Sequence, residues 1–221
     1  GLALGGNKTR KLEFLVAAAQ AEGAGTLVTA GAWQSNHCRQ TAAAAARFGL
    51  DCTLVLAGPP PTEATGNLLL DRLLGADIVP VADRADRDLV LQRTGEELVA
   101  QGRAPYVIPV GGSSPTGALG YCFAVEEALA QQVAVAGGEF DWMVFCTSSS
   151  GTHAGLVLGQ RVFGYGGQVL GISNDHSAAW VQAQVAALAS AASEMLGPRI
   201  DFSPADVRVN DDYCAAGDGV L

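Results

Sequence analysis

Short apolar runs alternate along this chain with longer segments in which apolar residues recur every three or four positions. The short runs are typical of buried strands, and the longer segments are typical of helices with one apolar face. The predicted strands are residues 26–30, 52–56, 78–81, 106–109, 142–146, 169–172 and 207–209. The predicted helices are residues 12–21 (beginning near Thr9), 40–48, 67–74, 88–100, 119–131 and 178–196, with a further apolar helix after residue 152. This alternation predicts an α/β fold of parallel strands joined by right-handed crossovers.

Two stretches rich in glycine or proline divide this pattern. Residues 58–61 form the clearest long loop, and residues 111–117 separate a set of four strands from a later set of three. We therefore expect two subdomains that share a cleft, each an open parallel sheet with helices on both faces. The chain opens without methionine in a glycine-rich loop and stops just after glycine-rich residues 217–219. We expect it to be incomplete at both ends.

Composition narrows the classes of partner and compartment. A net charge of -9 opposes nucleic-acid binding, because that affinity comes largely from Lys and Arg. No apolar run approaches the ~18 residues that a membrane span requires, and no signal peptide is visible, so a cytoplasmic protein without a membrane partner is expected. The cysteines are odd in number and lack C-x-x-C spacing, which argues against a disulfide framework and against a zinc or other metal site. They are Cys38, Cys52, Cys122, Cys146 and Cys214.

Lysine occurs at two positions only, Lys8 and Lys11, whereas the other cationic residues are arginines. An amine can lose its proton and attack a carbonyl, which arginine cannot do at neutral pH. Lys8 follows two glycines and an asparagine and precedes a helix, where backbone amides favour an anionic group. Imine chemistry at Lys8 is the functional interpretation, and a pair of solvated surface lysines is the alternative.

A serine-rich turn follows the strand at residues 142–146. Its sequence, TSSSGT at residues 147–152, offers hydroxyl groups and successive backbone amides at a helix N-terminus, which suits a phosphate. It matches neither a dinucleotide-binding nor an ATP-binding glycine motif, which weakens both of those interpretations. An ordinary turn with a serine helix cap is the alternative.

A third strand-to-helix junction carries Ser35, Asn36 and His37. Ser35 and Asn36 could hold a substrate carboxylate at this edge of the sheet, and a helix cap is the alternative. His37 here and His153 after the serine-rich turn are assigned no proton-transfer role.

Three segments together resemble a known family. GGNKTRKLEFL (residues 5–15), QSNHCRQT (34–41) and YVIPVGGSS (106–114) are similar to the family of D-cysteine desulfhydrase and 1-aminocyclopropane-1-carboxylate (ACC) deaminase, and the similarity runs nearly end to end. The resemblance implies the second fold type of pyridoxal-phosphate enzymes, which is tryptophan-synthase-β-like. It also implies a large cofactor domain from residues 1–14 and 115–221, a small substrate-clamping domain from residues 15–114, and a homodimer.

The resemblance assigns roles to individual residues. Lys8 corresponds to the catalytic lysine that holds pyridoxal 5'-phosphate as a Schiff base, and Lys11 to a second lysine near its phosphate. Asn36 corresponds to the amide that touches the cofactor ring oxygen, and Ser35 to a catalytic hydroxyl next to the substrate. Ser35, Asn36 and His37 together bind the substrate. The phosphate loop falls on Ser149, Ser150, Gly151 and Thr152.

Within the family, local sequence favours the desulfhydrase branch. His37 and His153 stand where the deaminase usually has Gln, and GSS at residues 112–114 stands where it tends to have Cys-Ser-Asp. Trp33 in place of isoleucine, and Asp218 in place of a pocket tyrosine, depart from the family.

The implied activity is a pyridoxal-phosphate-dependent lyase that converts D-cysteine to pyruvate, hydrogen sulfide and ammonia. ACC deaminase and cysteate sulfo-lyase are alternatives within the enzyme class. A catalytically inactive scaffold or binding module with the same fold is the alternative outside it.

Overall fold

The computed structural model describes residues 2–214, apart from the side chains of Val133 and Ala136. Within those residues, strands and α-helices alternate in the order that the hydrophobic pattern predicts. The strands are β1 (Thr26–Ala32), β2 (Asp51–Ala57), β3 (Asp77–Val81), β4 (Pro105–Val107), β5 (Trp142–Thr147), β6 (Gln168–Ser173) and β7 (Arg208–Asn210). The helices are α1 (Thr9–Ala21), α2 (Asn36–Phe48), α3 (Gly66–Leu73), α4 (Arg87–Ala100), α5 (Pro115–Ala136), α6 (Gly151–Phe163) and α7 (Ala178–Ser193).

The chain divides into two compact units, Gly1–Gly112 and Ser113–Leu221. The family resemblance places residues 1–14 in the large domain, whereas here they belong to the first unit with α2 and β1. The assignment of residues 1–14 and 115–221 to one cofactor domain, and of residues 15–114 to a substrate-clamping domain, stays a prediction.

The first unit is built on a parallel sheet in the order β3-β2-β1-β4. Strand β1 is buried from Thr26 to Gly31, and β2 is buried from Cys52 to Ala57. Such continuous burial requires cover on both faces of a sheet. One apolar cluster joins Leu12 of α1 and Leu68 of α3 to the sheet, and a second joins Leu91 of α4 to Val28 and Val55. The predicted α/β architecture, with helices on both faces, is therefore confirmed in this unit.

The second unit is built on a separate parallel sheet in the order β5-β6-β7. Two glycines on α6 allow α5 to lie directly against that helix. A Cβ atom added at Gly155 would lie 2.2 Å from Ala118 O, and one added at Gly159 would lie 2.6 Å from Cys122 O. The close approach of the two helices therefore depends on the absence of a side chain at both positions.

One residue singled out in the sequence, Asp218, lies outside the described residues 2–214. Within the described part of the chain, no helix combines the length and apolar character that crossing a membrane requires.

Helix α3 turns a carboxylate toward the protein interior while two of its leucines face outward. Asp71 is fully buried, whereas Leu69 and Leu73 are exposed. Neither carboxylate oxygen of Asp71 has a hydrogen-bond partner among the described residues. Burial raises the pKa of Asp71 from 3.8 to about 7, and the charge of Arg39 opposes that rise only in part. The folded protein therefore favours the neutral form of this carboxyl group.

We expect Asp71 to lower the free energy of unfolding as pH rises from about 4 to about 7, because the folded protein keeps a proton that the unfolded chain has released. Relative to Asp71→Asn, the wild-type protein should lose up to about 1.4 kcal/mol per pH unit in this window and little more above it. Urea unfolding of both proteins across this pH range measures the difference. If the free energies of unfolding of the two proteins change in parallel with pH, Asp71 has the same pKa in the folded and unfolded states, which would contradict this prediction.

Candidate active site

A loop with unusual backbone geometry carries Lys8. Ala3, Leu4, Gly5 and Gly6 all have positive φ angles, of 30°, 67°, 68° and 133°. Lys8 then caps α1 with φ -79° and ψ -15°, and its carbonyl oxygen accepts a hydrogen bond from Leu12 N at 2.9 Å. The amine is therefore attached to a backbone position that helix α1 fixes on one side and a tight glycine turn fixes on the other.

The first turn of α2 contacts this loop. Asn36 Nδ2 donates to Asn7 Oδ1 at 2.8 Å, so the residue before Lys8 is tied to the start of α2. Since Asn36 and His37 are consecutive, the same contact brings the substrate-binding residues predicted from sequence into the neighbourhood of Lys8.

Lys11 lies one helical turn after Lys8 and is buried, with 1% of its surface exposed. Its Nζ donates to Gly111 O at 3.0 Å. Burial holds the pKa of the Lys11 amine well below its usual range, and the positive charge of Lys8 lowers it further. A buried amine with a lowered pKa is typical of a functional site.

His37 is buried beside the two lysines and is held in one tautomer. The Thr29 hydroxyl donates to Ile108 O at 2.8 Å, so its oxygen accepts from His37 Nε2, which lies 2.8 Å away. His37 Nδ1 is then unprotonated, and it has no hydrogen-bond partner among the described residues. Burial, with the charges of Lys8 and Lys11, holds the pKa of His37 well below its usual range. The imidazole is therefore a neutral acceptor.

Ser35 caps α2, as the alternative interpretation of the sequence proposes. Its Oγ accepts a hydrogen bond from Cys38 N at 3.3 Å. The turn fits against β1 because residue 31 is glycine, since an added Cβ there would lie 2.7 Å from both Ser35 Oγ and Cys38 Sγ. The cap uses the oxygen as an acceptor, and the hydroxyl proton can still serve a carboxylate. The catalytic role of Ser35 stays a prediction.

In the second unit, the serine-rich turn leads from β5 into α6. Ser150 lies in the left-handed region with φ 64°, and α6 begins at the next residue. Ala154 N makes the first helical hydrogen bond, to Ser150 O at 2.9 Å. The amides of Thr152 and His153 precede that bond and lie at the positive end of the helix. This geometry suits an anion.

Hydroxyl and carboxylate groups fix the serine-rich turn. Ser113 Oγ donates to Ser149 Oγ at 2.9 Å and accepts from Gly151 N at 3.3 Å. Ser148 Oγ donates to Asp175 Oδ2 at 2.7 Å. The turn is therefore ordered by neighbours from the start of α5 and from the end of β6.

His153 packs beneath the turn. It is fully buried, its ring meets Phe145 edge-on with centroids 4.9 Å apart, and neither ring nitrogen has a partner among the described residues. Burial lowers the pKa of His153 to about 4. It is a neutral packing residue at this site, which agrees with assigning it no proton-transfer role.

The family described as pyridoxal-phosphate dependent enzymes matches residues 2–220. The chain belongs to this family. It is 45% identical over 226 residues to a D-cysteine desulfhydrase from Salmonella choleraesuis (strain SC-B67), and 44% identical over 224 residues to one from Salmonella typhi. Each comparison covers 99% of this chain and 67% of the relative.

Solved structures of related proteins have the same fold. The crystal structure of an ACC deaminase homologue is 37% identical with a TM-score of 0.87, covering 99% of this chain and 65% of that one. A threonine deaminase from T.th. is 23% identical with a TM-score of 0.58, covering 76% of this chain and 49% of that one, and shows the fold alone. The sequence-based recognition of the family and of the second fold type is confirmed. The chain spans about two thirds of the length of the D-cysteine desulfhydrases and of the ACC deaminase homologue.

The residues present fit the cofactor that the family name implies. The first unit offers an amine at Lys8 beside a buried amine of lowered pKa at Lys11, which suits reaction with an aldehyde. The second unit offers helix-terminal amides after Ser150, which suit a phosphate. Which lysine holds pyridoxal 5'-phosphate stays a prediction, as do the roles of Lys11, Asn36 and the phosphate loop Ser149, Ser150, Gly151 and Thr152.

The sequence interpretation missed the residues that support these groups. They are Asn7, Thr29, Arg39, Gln40, Ser113 and Asp175. The one sequence signal concerns Gln40, because residues 36 and 40 lie one turn apart on α2 and face the same side. In the family, a polar residue one turn after the Ser-Asn pair is therefore worth testing for contact with the lysine loop.

Ser150 provides a test of the turn's backbone, because a left-handed conformation costs a residue with a side chain about 1 kcal/mol or more. Ser150→Gly is expected to keep or raise the free energy of unfolding, and Ser150→Val is expected to lower it by about 1–2 kcal/mol. Urea unfolding of the three proteins measures both changes. A glycine variant clearly less stable than a valine variant would contradict the left-handed geometry.

Proposed function

We propose that this protein is a D-cysteine desulfhydrase in which Lys8 holds pyridoxal 5'-phosphate and moves the substrate α-proton. The observation that carries the proposal is the cluster in the first unit, where Asn36 ties the loop of Lys8 to α2, and where the Lys11 amine and the His37 imidazole are buried. An amine beside buried groups whose pKa values are lowered is suited to condensing with an aldehyde and to accepting a proton. The identity to D-cysteine desulfhydrases supports the choice of substrate.

The cofactor, when bound, supplies an electron sink that stabilises negative charge at the substrate α-carbon. Lys8 Nζ removes the α-proton, and a thiolate leaves from Cβ. With one water, D-cysteine yields pyruvate, hydrogen sulfide and ammonia. Because the backbone of Lys8 is held at the start of α1, Lys8 is proposed to address one face of the substrate and so to select the enantiomer.

Ser35, Asn36 and His37 orient the substrate in this proposal. Ser35 Oγ keeps its hydroxyl proton for a carboxylate oxygen, because the α2 cap uses the oxygen only as an acceptor. His37 Nδ1 is a buried acceptor fixed by Thr29, and it suits a donor on the substrate. Asn36, whose side chain donates to Asn7, is proposed to contact the cofactor ring oxygen.

The phosphate is held at the serine-rich turn of the second unit. The Thr152 and His153 amides and the Ser149 and Thr152 side chains supply donors without a cationic residue in that turn. Lys11, as the family resemblance implies, is proposed to contribute to binding the cofactor. The protein is further proposed to act as a cytoplasmic homodimer, without nucleic acid or membrane partners.

Replacing the amine tests the assignment of Lys8. We expect borohydride reduction of the protein loaded with pyridoxal 5'-phosphate to leave a pyridoxyl group on Lys8, and Lys8→Ala to lose both that label and the visible absorbance. Peptide mapping distinguishes Lys8 from Lys11, the other lysine in the sequence. Lys11→Met serves as the matched control, with label still on Lys8.

A label on Lys11 alone, or an unchanged visible spectrum in Lys8→Ala, would overturn the assignment. A full-length protein that binds no cofactor under these conditions would favour a non-catalytic scaffold with the same fold.

A panel of amino acids tests the substrate. We expect turnover of D-cysteine to exceed that of ACC and of cysteate by at least about tenfold in kcat/KM, because His37 stands where the deaminase branch usually has glutamine. Pyruvate, 2-oxobutyrate, sulfide and sulfite release measures the three reactions. A higher kcat/KM for ACC or for cysteate would mean that the reaction is ring-opening deamination or sulfite elimination instead of desulfhydration. Turnover of L-cysteine in preference to D-cysteine would overturn the stereochemical argument.

A further inference from the structure

One buried amide on α2 contacts both the loop of Lys8 and the turn of Asn36. Gln40 is fully buried. Its Oε1 accepts a hydrogen bond from Thr9 Oγ1 at 3.0 Å, and its Nε2 donates to Asn36 O at 3.0 Å. Thr9 follows Lys8 directly, so a single side chain links the residue after Lys8 with the backbone of Asn36.

The loop passes very close to this amide. A Cβ atom added at Gly6 would lie 2.5 Å from Gln40 Nε2 and 2.8 Å from Gln40 Cδ. Gly6 also has a φ of 133°, which residues with side chains rarely adopt. Gly6 and Gln40 therefore fit each other, and the loop cannot shift toward α2 without displacing the amide.

The remaining contacts bind the loop on both sides of Lys8 to α2. Asn36 Nδ2 holds the side chain of Asn7, and Gln40 Oε1 holds the side chain of Thr9. Arg39 donates to Ala3 O and, at 2.9 Å, to Gly5 O. The residues on both sides of Lys8 are thus bound to one helix, whose register fixes the position of the lysine backbone.

We propose that Gln40 is a positioning residue for Lys8: through Thr9 on one side and Asn36 on the other, it sets where the amine stands relative to the substrate-binding turn. This inference rests on the proposed function of Lys8. Gln40 touches no reacting atom, and its effect passes through the Thr9 hydroxyl and the Asn36 carbonyl. Removing it changes the geometry of the reaction and leaves the chemical groups in place.

The test removes the same hydrogen bond from either end in the full-length protein. Gln40→Met removes both amide contacts, Thr9→Val removes only the hydroxyl that Gln40 accepts, and Thr9→Ser keeps that hydroxyl. Thr94→Val is the matched control, because it removes a largely buried threonine hydroxyl that bonds Val90 O at 2.8 Å on α4, within the same unit but without contact to the loop. The measurements are the rate at which pyridoxal 5'-phosphate becomes trappable by borohydride on Lys8, kcat and KM for D-cysteine, and the pH dependence of the visible absorbance.

We expect Gln40→Met and Thr9→Val to slow trapping on Lys8 and to lower kcat by about tenfold or more, since small displacements of a reacting group are costly. KM should change by less than kcat, because Ser35, Asn36 and His37 remain. The pH at which the visible absorbance changes should shift in both variants. Thr9→Ser should stay within about twofold of wild type, and adding Thr9→Val to Gln40→Met should lower kcat little further than Gln40→Met alone.

Equal trapping rates and equal kcat values in Thr9→Val, Thr9→Ser and Thr94→Val would overturn the positioning role. Purely additive effects of the two substitutions would also overturn it, because the two groups would then act independently. If Gln40→Met does not fold, the comparison of Thr9→Val with Thr9→Ser tests the proposal by itself. A wild-type protein without label on Lys8 would refute the proposed function instead, which keeps the two failures distinct.

Discussion

The position of Lys8 depends on a backbone turn that is unfavourable by itself. Ala3 and Leu4 adopt positive φ angles that cost residues with side chains about 1–2 kcal/mol each. Hydrogen bonds from α2 offset this cost, most directly those from the largely buried Arg39 to the carbonyl oxygens of the turn. Because the strained turn and the helix N-terminus are held together, the amine and the substrate-binding residues form one structural element.

Burial gives this element its chemistry. Lys11 and His37 are buried beside Lys8, and desolvation lowers the pKa of each. Although the protein carries a net charge of -9, the causes of the lowered pKa values of Lys11 and His37 are burial, which is the largest, and neighbouring lysines. In the second unit, the serine-rich turn offers backbone amides that suit an anion. The first unit thus supplies two amines and a buried imidazole.

The sequence predicts the strands and helices well because most strands are compact apolar runs between amphipathic helices. Even the weak strand Arg208–Asn210 follows from the two valines at residues 207 and 209. The family segments also single out Lys8 and the Ser-Asn pair. Contacts across the fold are harder to predict, because Gln40, Thr29 and Ser113 are polar residues whose partners lie far away in sequence. Asp71 shows the same limit, since a leucine-rich helix would be expected to bury its leucines and expose its carboxylate.

A crystal structure of the full-length protein with pyridoxal 5'-phosphate tests the central claim most directly. We predict continuous electron density from Lys8 Nζ to the aldehyde carbon of the cofactor, with phosphate oxygens within hydrogen-bond distance of the Thr152 and His153 amides. Density joining the cofactor to Lys11, or a phosphate held away from the serine-rich turn, would contradict this claim.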